Sequence, residues 1–405
     1  MPWQERSPMD LRMRFVTEWQ SGCWTMTELC ADYQVSRKTG YKWADRYERS
    51  GPSGLHDRSR RPHASPLATD PELVDRLVAL RRRHPRWGAK KLLVVAARRD
   101  PQADWPSRTT VCDLLKARGL VSPRRRPDRP APAASPPAPI TRINEVWTTD
   151  FKGEFLTGDG VYCYPLTLRD GFSRFVLRCD ALAGHTYDAT RRRFERAFAE
   201  YGLPDRMRSD NGGPFASTGL ARLSRLSVWW MRLGIVPERI ALGHPEQNGS
   251  HEQFHSVLKA ATTRPPAPNA RAQQRRFDRF CFEYNHERPH EALADDVPAS
   301  RYQPSARPMP RRLLPLEYPG HLELRRVSTI GQISWRNALI FVSEALAGED
   351  VGLEEVDDGL WTIRFASVVL GRFDERHRRI HPIAAITAGR SASYAGSAPH
   401  LKNKP

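Results

Sequence analysis

Apolar residues near the N-terminus recur at helical spacing, and from residue 10 to about 49 they predict three short helices. Their apolar positions are Leu11, Phe15, Trp19, Leu29, Cys30, Tyr33, Tyr41, Ala44 and Tyr47. Ser36 is a good N-cap and Gly51 a good helix stop, so residues 27–34 and 37–49 are typical of a helix-turn-helix. The third helix would read DNA near its start, through Arg37, Lys38, Thr39 and Lys42. The alternative is an ordinary three-helix core with a solvated basic face.

A second helical pattern runs from residue 71 to about 120. Ser107 is expected to cap its last helix, and Gly119 to end that helix. The segment therefore predicts a second helix-turn-helix, in which the residues near the reading end are Arg108, Thr109 and Thr110. A helical scaffold without DNA contacts is the alternative.

Past residue 140 the pattern changes to strands. Runs at 145–152, 161–168 and 175–179 predict an antiparallel meander. Helices are expected at 187–201, 220–233 and after Gly249, with short strands at 206–209 and near Ile240. This order favours a mixed sheet with helices on both faces. Trp229 and Trp230 are expected in the core rather than as platforms for stacked bases.

A linker, a last set of short strands and a C-terminal tail complete the predicted organisation of the chain. Residues 122–139 contain seven prolines and four arginines and predict a linker. Short strands at 330–334, 339–342, 352–356 and 361–365 predict a small β-barrel, and the acidic run 354–358 would keep one edge away from DNA. The tail from about residue 388 is expected to be disordered.

Composition narrows the class of protein. The 405 residues carry a net charge of +18, and two-thirds of that excess precedes residue 140. This distribution favours a polyanionic partner at the N-terminal end. The chain has no apolar run of about 18 residues and no signal pattern, which predicts a cytoplasmic protein. Six scattered cysteines without a Cys-x-x-Cys motif argue against disulfides and against a cysteine-based zinc site, and predict reduced thiols in cores.

Three carboxylates follow predicted strands or begin a predicted helix. Asp150 ends the first strand of the meander, Asp210 follows the strand at 206–209, and Glu252 lies at the start of the helix after Gly249. Carboxylates at the ends of adjacent elements can hold two hard divalent cations. Two such cations support in-line displacement at phosphorus, so phosphate diesters are the expected substrates.

The context of these carboxylates resembles a known family. Trp-Thr-Thr-Asp-Phe-Lys at 147–152, Ser-Asp-Asn-Gly-x-Pro-Phe at 209–215 and His-Pro-x-x-Asn-Gly-x-x-Glu at 244–252 occur in the order found in DDE transposases and retroviral-type integrases. The segment Tyr-Asn-x-x-Arg-Pro-His at 284–290 resembles the one that follows this core in bacterial insertion-sequence transposases.

This resemblance implies a multidomain α+β protein with N-terminal all-α helix-turn-helix modules, a ribonuclease-H-like mixed α/β core and a small C-terminal β-barrel. The expected boundaries are 1–60 and 61–121 for the two DNA-binding modules, 122–139 for the linker, 140–304 for the catalytic core, 305–387 for the barrel and 388–405 for the tail.

The resemblance also implies roles for residues. Asp150, Asp210 and Glu252 match the metal-binding catalytic triad. Glu246 competes with Glu252 by its spacing, but the alignment of Asn248-Gly249 favours Glu252. Glu252, His255 and Lys259 are placed on one helix face, and Lys259 would contact DNA beside the site. Gln253 stands where relatives commonly carry Arg, which removes one cation.

The implied function is a DDE transposase with two Mg²⁺ ions, or Mn²⁺ in their place. It would bind the ends of a mobile element, cut their 3′ ends and join them to target DNA, as a homo-oligomer on synapsed ends in the bacterial cytoplasm. A membrane and zinc are not expected as partners. The alternatives are a catalytically silent, domesticated DNA-binding regulator of the same fold and a simple metal-dependent nuclease. Retroviral integrase itself is disfavoured, because the chain lacks an N-terminal His-His-Cys-Cys zinc module.

Overall fold

The computed structural model describes residues 7–58, 68–121, 139–240 and 249–382. The chain divides into two compact units, Met1–Asp70 and Pro71–Pro405. The predicted linker, apart from its last residue, and the tail from residue 388 lie outside the described residues. Within the described ranges, no helix combines the length and the apolar character needed to cross a membrane.

The first unit contains the three predicted helices, and each has a capping residue, of which Ser36 was predicted. They are α1 (Pro8–Gln20), α2 (Met26–Asp32) and α3 (Arg37–Ser50), followed by a 3₁₀ turn at Gly51–Leu55. Ser7, Thr25 and Ser36 each accept a backbone N–H of the first helical turn, which satisfies a donor that would otherwise lack a partner. The core consists of Phe15, Val16, Met26, Leu29, Cys30, Trp43, Ala44 and Leu55. Leu11 and Tyr41, expected on the apolar stripe, are instead 40% and 58% exposed.

A second three-helix module opens the second unit. It contains α4 (Pro71–Arg83), α5 (Ala89–Arg99) and α6 (Arg108–Ala117), the last capped by Ser107 as predicted. Its core is made by Leu77, Leu80, Trp87, Ala89, Leu92, Val95, Ala96, Val111 and Leu115. The module therefore has an apolar core of its own, separate from the sheet that follows.

The central sheet joins an antiparallel meander to two parallel strands. Its strands are β1 (Val146–Phe151), β2 (Phe155–Leu156), β3 (Tyr162–Asp170), β4 (Val176–Leu182), β5 (Arg206–Ser209) and β6 (Val236–Arg239). The order is β2-β3-β1-β5-β6, with β4 also paired to β3. β3 is antiparallel to β1 and β4, whereas β5 is parallel to β1 and β6. This arrangement confirms the predicted mixed sheet.

Helices cover both faces of this sheet. On one face, α7 (Tyr187–Tyr201) and α8 (Arg225–Arg232) enclose a core that includes Trp147, Phe194, Phe198, Met207, Trp229 and Trp230. On the other face, α9 (Gly249–Thr262) and α10 (Ala270–Phe282) pack Phe254, Leu258, Phe277 and Phe280 against Cys163, Val176 and Cys179. α8 begins five residues later than predicted, because Ala221 has a left-handed backbone conformation and Ser224 caps the helix.

The C-terminal strands form two sheets rather than one closed barrel. The strands β7 (Glu323–Arg326), β10 (Asp350–Asp357), β11 (Leu360–Phe365), β12 (Val368–Asp374) and β13 (Arg379–Pro382) make an antiparallel five-stranded sheet. The strands β8 (Gln332–Trp335) and β9 (Ala338–Phe341) pair only with each other among the described strands. A barrel requires two neighbours for every strand. Among the described strands, β7 and β13 have one neighbour each, so these sheets are not closed and the expected barrel is not confirmed.

The six cysteines are free, as predicted, but only some lie in cores. Cys30, Cys163 and Cys179 are buried, Cys281 is half-buried, and Cys23 and Cys112 are exposed. The expectation of buried thiols therefore fails for the last two.

Candidate active site

Parallel pairing places the first two predicted carboxylates at one edge of the sheet. Asp150 is the fifth residue of β1, and Asp210 comes directly after β5. Val146, Trp147 and Thr148 of β1 lie opposite Arg206, Met207 and Arg208 of β5. Because the carboxyl ends of parallel strands meet at the same edge, both carboxylates lie there.

Helix α9 brings Glu252 to the same edge, and its first turn is anchored to β3. The Arg169 guanidinium is fully buried, donates to the Ser250 carbonyl at 3.1 Å, and also donates to the Ser250 hydroxyl. Its charge lies 5.4 Å from the centre of the Phe254 ring. A buried arginine held in this way fixes the start of α9, and so the position of Glu252, two residues after Ser250.

Burial and the negative charges of its neighbours make Asp150 harder to ionise. Burial, and next the negative charge of Asp210, raise the pKa of Asp150 to about 7; Glu252 adds to this shift and Lys152 opposes it. Burial also raises the pKa of Asp210 above its usual range. Asp210 Oδ1 is buried and has no hydrogen-bond partner among the described residues. The protein around Asp150 and Asp210 therefore offsets only part of the cost of burying these two carboxylates in their ionised form.

The turn after β5 is shaped around Asp210. Asn211 donates its side-chain N–H to the Ile240 carbonyl at 2.9 Å, which ties the turn to the end of β6. A Cβ on Gly212 would lie 2.9 Å from Asp210 Oδ2, so a side chain there would displace the carboxylate. Asn211 therefore acts on this turn rather than on the carboxylate beside it.

Two histidines of α9 approach Asp150 from the helix side. His255 Nδ1 lies 3.5 Å from Asp150 Oδ2, and the His255 side chain is 7% exposed. Asp150, His251 and His255 each offer a ligand atom within 4.8 Å of the others. Burial lowers the pKa of His255 to about 3 and that of His251 well below its usual range.

The predicted common face of Glu252, His255 and Lys259 is only partly correct. Glu252 and Lys259 are exposed, whereas His255 is buried against the sheet. At 100° per residue His255 is rotated by about 60° from Glu252, enough to turn it toward β1 while the others face solvent. Gln253 is also exposed. Glu246, the rival of Glu252, lies outside the described residues.

The predicted DNA-reading residues of α3 lie on its accessible side. Arg37, Lys38 and Lys42 are exposed, and Thr39 is half-buried with its hydroxyl 2.9 Å from that of Ser36. The Lys42 ammonium lies 4.3 Å from the centre of the Trp43 ring. Thr39 is therefore engaged in capping, which leaves the three cations as the accessible groups at the start of α3.

The corresponding residues of α6 are arranged in the same way. Arg108 and Thr109 are exposed, and Thr110 is half-buried with its hydroxyl 3.0 Å from that of Ser107. Thr110 is again part of the cap, and Arg108 is the accessible cation.

The Tyr-Asn-x-x-Arg-Pro-His segment has a structural role that was not evident from the sequence. It forms a π-helical turn at Glu283–Glu287 after α10. Asn285 accepts the backbone N–H of Val176 and donates to the Val176 carbonyl, both at 2.9 Å. This pair of hydrogen bonds pins the segment to the start of β4.

The same segment holds the second helical module. We call the contact of α4 and α5 with residues 283–296 the docking surface. Its polar contacts are Arg83 with Glu287 at 3.0 Å, His84 with Glu283 at 3.0 Å, Lys90 with Asp295 at 3.2 Å, Lys91 with the Pro289 carbonyl at 2.8 Å, and Arg98 with Asp296 at 3.1 Å. Much of the basic charge of α4 and α5 is therefore directed at the segment that follows α10.

Sequence reasoning missed α10, His255 as a neighbour of Asp150, and the hydroxyl of Thr167 between the histidines. Asn269 caps α10, and the buried residues Gln273, Phe277 and Phe280 follow at i, i+4 and i+7, so a signal for the helix was present. The sequence places His255 three residues after Glu252, but only the fold shows that His255 lies beside Asp150 of β1.

Family models match both the helical N-terminal part of the chain and the part that contains the central sheet. Residues 11–63 match a helix-turn-helix domain and residues 39–115 a homeodomain-like domain. Residues 140–245 and 233–298 both match the integrase core domain. Together, the two integrase core matches cover the central sheet, α7 to α10 and the three carboxylates.

Solved structures similar to the chain include viral integrases at low similarity. The catalytic core domain of HTLV-2 integrase, in complex with magnesium, is 15% identical, with a TM-score of 0.32, covering 40% of this chain and 98% of its own. The simian T-cell lymphotropic virus intasome in complex with PP2A regulatory subunit B56 gamma is also 15% identical, with a TM-score of 0.35, covering 72% and 97%. Two helix-turn-helix matches followed by a two-part integrase core match indicate that the chain is a transposase or integrase of the DDE type.

Proposed function

We propose that this protein is a transposase of the bacterial insertion-sequence type, which cuts the 3′ ends of a mobile DNA element and joins them to target DNA. The observation that supports this most directly is the position of Asp150 near Asp210 and Glu252 at one sheet edge, where burial, and then the negative charges of Asp210 and Glu252, raise the pKa of Asp150 to about 7. Such poorly compensated carboxylates are typical of a functional site.

The residues at this edge fit divalent cations. Asp210 Oδ1 lacks a hydrogen-bond partner among the described residues, and a hard cation such as Mg²⁺ or Mn²⁺ is the complement that such an oxygen requires. Asp150, Asp210 and Glu252 would hold two of them. Bound there, the cations would activate the attacking oxygen and stabilise the leaving oxygen of a phosphodiester.

The remaining roles belong to the protein's own cations. Lys259, exposed on α9 with Glu252, would bind a phosphate of the DNA strand beside the site. Arg37, Lys38 and Lys42 at the start of α3 would contact the element end, and Arg108 at the start of α6 would extend that contact. Joining two ends implies that the protein acts as a homo-oligomer on synapsed DNA ends, within the bacterial cytoplasm.

The test is strand transfer by the purified full-length protein. A labelled duplex that carries the DNA flanking its own gene would be incubated with Mg²⁺ or with EDTA, beside an Asp210→Asn variant. Asp278→Asn is the matched control, because Asp278 lies on α10 and is exposed. We expect joined products only with Mg²⁺, from the wild type and from the control variant.

Other outcomes separate the alternatives. Metal-dependent cleavage without joined products would contradict the transposase and favour a nuclease. Sequence-specific binding without cleavage would favour a regulator of the same fold.

A further inference from the structure

The hydroxyl of Thr167 lies at the centre of a hydrogen-bond network that determines where the protons sit. Thr167 is opposite Asp150 in the β1–β3 ladder, and its Oγ1 lies 2.9 Å from the Asp150 carbonyl. The same Oγ1 lies 2.7 Å from His251 Nε2 and 2.8 Å from His255 Nε2. A hydroxyl has one proton to donate and two lone pairs. Because a carbonyl can only accept, Thr167 donates to Asp150, and both histidines donate to Thr167.

This assignment uses both nitrogens of His251. Its Nε2 carries the proton donated to Thr167. Its Nδ1 lies 2.9 Å from the Thr148 hydroxyl and accepts from it, because this distance is shorter than the 3.3 Å from that hydroxyl to its other acceptor, the Arg169 carbonyl. His251 is therefore saturated within the protein. It is a positioning residue that holds Thr167, although it lies within the cluster around Asp150.

His255 differs, because only its Nε2 is used. With the proton on Nε2, its Nδ1 carries a lone pair, and that lone pair faces Asp150 Oδ2 at 3.5 Å. Nδ1 has no hydrogen-bond partner among the described residues, and the separation from Oδ2 exceeds the length of a hydrogen bond. A lone pair that faces a carboxylate is repulsive unless a positive centre lies between them.

The separation fits a cation between the two atoms. Metal–nitrogen and metal–oxygen bonds of divalent transition ions are about 2.0–2.2 Å, so two ligands of one ion lie about 2.8–3.6 Å apart for angles of about 90–110°. We propose that His255, through Nδ1, is a ligand of the divalent cation that Asp150 binds. This inference rests on the proposed metal-dependent function, and adds to it a nitrogen ligand outside the carboxylate triad.

A nitrogen ligand changes which cation the site prefers. Mg²⁺ favours oxygen ligands and rigid octahedral geometry, whereas imidazole also suits Mn²⁺ and other transition ions. The site is therefore expected to bind Mn²⁺ more tightly than Mg²⁺. Thr167 contributes as a second positioning residue, since its hydroxyl keeps the proton of His255 on Nε2 and so leaves Nδ1 free to bind.

The test is the electron spin echo modulation of Mn²⁺ bound to the full-length protein. Directly bound imidazole nitrogen gives a ¹⁴N modulation that carboxylates and water do not give. We expect this modulation in the wild type, its loss in His255→Asn, and a fall of at least about tenfold in Mn²⁺ affinity. His286→Asn is the control, because His286 is exposed and lies outside the cluster. Melting temperatures establish that each variant is folded.

A Thr167→Ser variant keeps the hydroxyl and is expected to retain the modulation, whereas Thr167→Val is expected to weaken it. Modulation that persists in His255→Asn, or Mn²⁺ binding by the wild type without any ¹⁴N modulation, would overturn the assignment of His255 and leave the carboxylate site intact. Failure of the wild type to bind Mn²⁺, together with an absence of strand transfer, would instead reject the proposed function.

Discussion

Charged side chains gather in two regions of the second unit, in opposite ways. At the docking surface, side chains of opposite charge lie side by side, as in the pairs of Arg83 with Glu287 and Arg98 with Asp296. At the candidate active site, on one edge of the central sheet, Asp150 lies near Asp210 and Glu252, two carboxylates of the same charge. Matched charges hold two parts of a protein together, whereas gathered like charges reduce stability and are retained where a ligand supplies the complement. The way in which charges are paired, rather than the net charge, therefore distinguishes a surface that holds two parts of the protein together from one that is suited to bind a ligand.

The largest effect is expected from Asp150→Asn. The variant should lose at least about a hundredfold in cleavage and strand transfer, because metal assistance supplies several kcal/mol of transition-state stabilisation. Without metal at pH 8 its melting temperature should rise, since a repelled buried charge is removed. Strand-transfer assays and thermal unfolding in EDTA measure the two effects. A lower melting temperature would contradict the view that this edge is electrostatically strained.

The pH dependence of stability provides the second prediction. The folded pKa of Asp150 is about 7, raised from 3.8, so the folded state binds the proton more tightly than the unfolded state. In EDTA this contribution, a few kcal/mol at most, is complete below about pH 4 and is lost as the pH rises to about 7. Chemical denaturation from pH 5 to 8 should show the decline in the wild type.

Two further measurements test whether Asp150 causes this decline in stability. Asp150→Asn should flatten the dependence over the same range, and Mn²⁺ should restore stability at pH 8 in the wild type. An equal slope in the variant would assign the effect to other groups.

A third prediction compares cations on the two helical modules. Arg37→Ala should weaken binding to the element end by about 1–3 kcal/mol if Arg37 contacts a base, and Lys38→Ala should reduce the salt dependence of binding by about one unit if Lys38 contacts a phosphate. Arg98→Ala, at the docking surface, should leave both quantities unchanged. Binding isotherms at several salt concentrations give both. An equal effect of Arg98→Ala would show that the docking surface also contacts DNA.

The smallest effects are expected from single ion pairs of the docking surface. Arg83 is more than half exposed, so Arg83→Ala should destabilise the unit by less than about 1 kcal/mol, and less still at high salt. Asn285→Ala should cost about 1–3 kcal/mol, because it leaves the backbone N–H and carbonyl of Val176 without their partner. Chemical denaturation at low and high salt compares the free energies of unfolding of the two variants. A larger loss from Arg83→Ala would mean that the ion pairs hold the module more firmly than their exposure indicates.

Local patterns were sufficient for elements that carry their own signals. α3 begins at Arg37 because Ser36 caps it, and β1 and β5 lie at or close to the predicted positions 145–152 and 206–209. The C-terminal strands show the limit. Four of seven were predicted, but β7 is the polar edge run Glu-Leu-Arg-Arg, and such a strand lacks the apolar alternation that would identify it.

The sequence by itself determined the order of the modules, the caps of their helices and the three carboxylates, because each depends on residues close together in the chain or on a motif. Only the tertiary structure decided which groups meet. The parallel pairing of β1 with β5 places Asp150 and Asp210 at one edge, and the packing of α9 on the sheet turns His255 toward Asp150. Arg83 and Glu287 are 204 residues apart. Contacts at such separations follow from the packing of whole elements, which no local pattern of residues encodes.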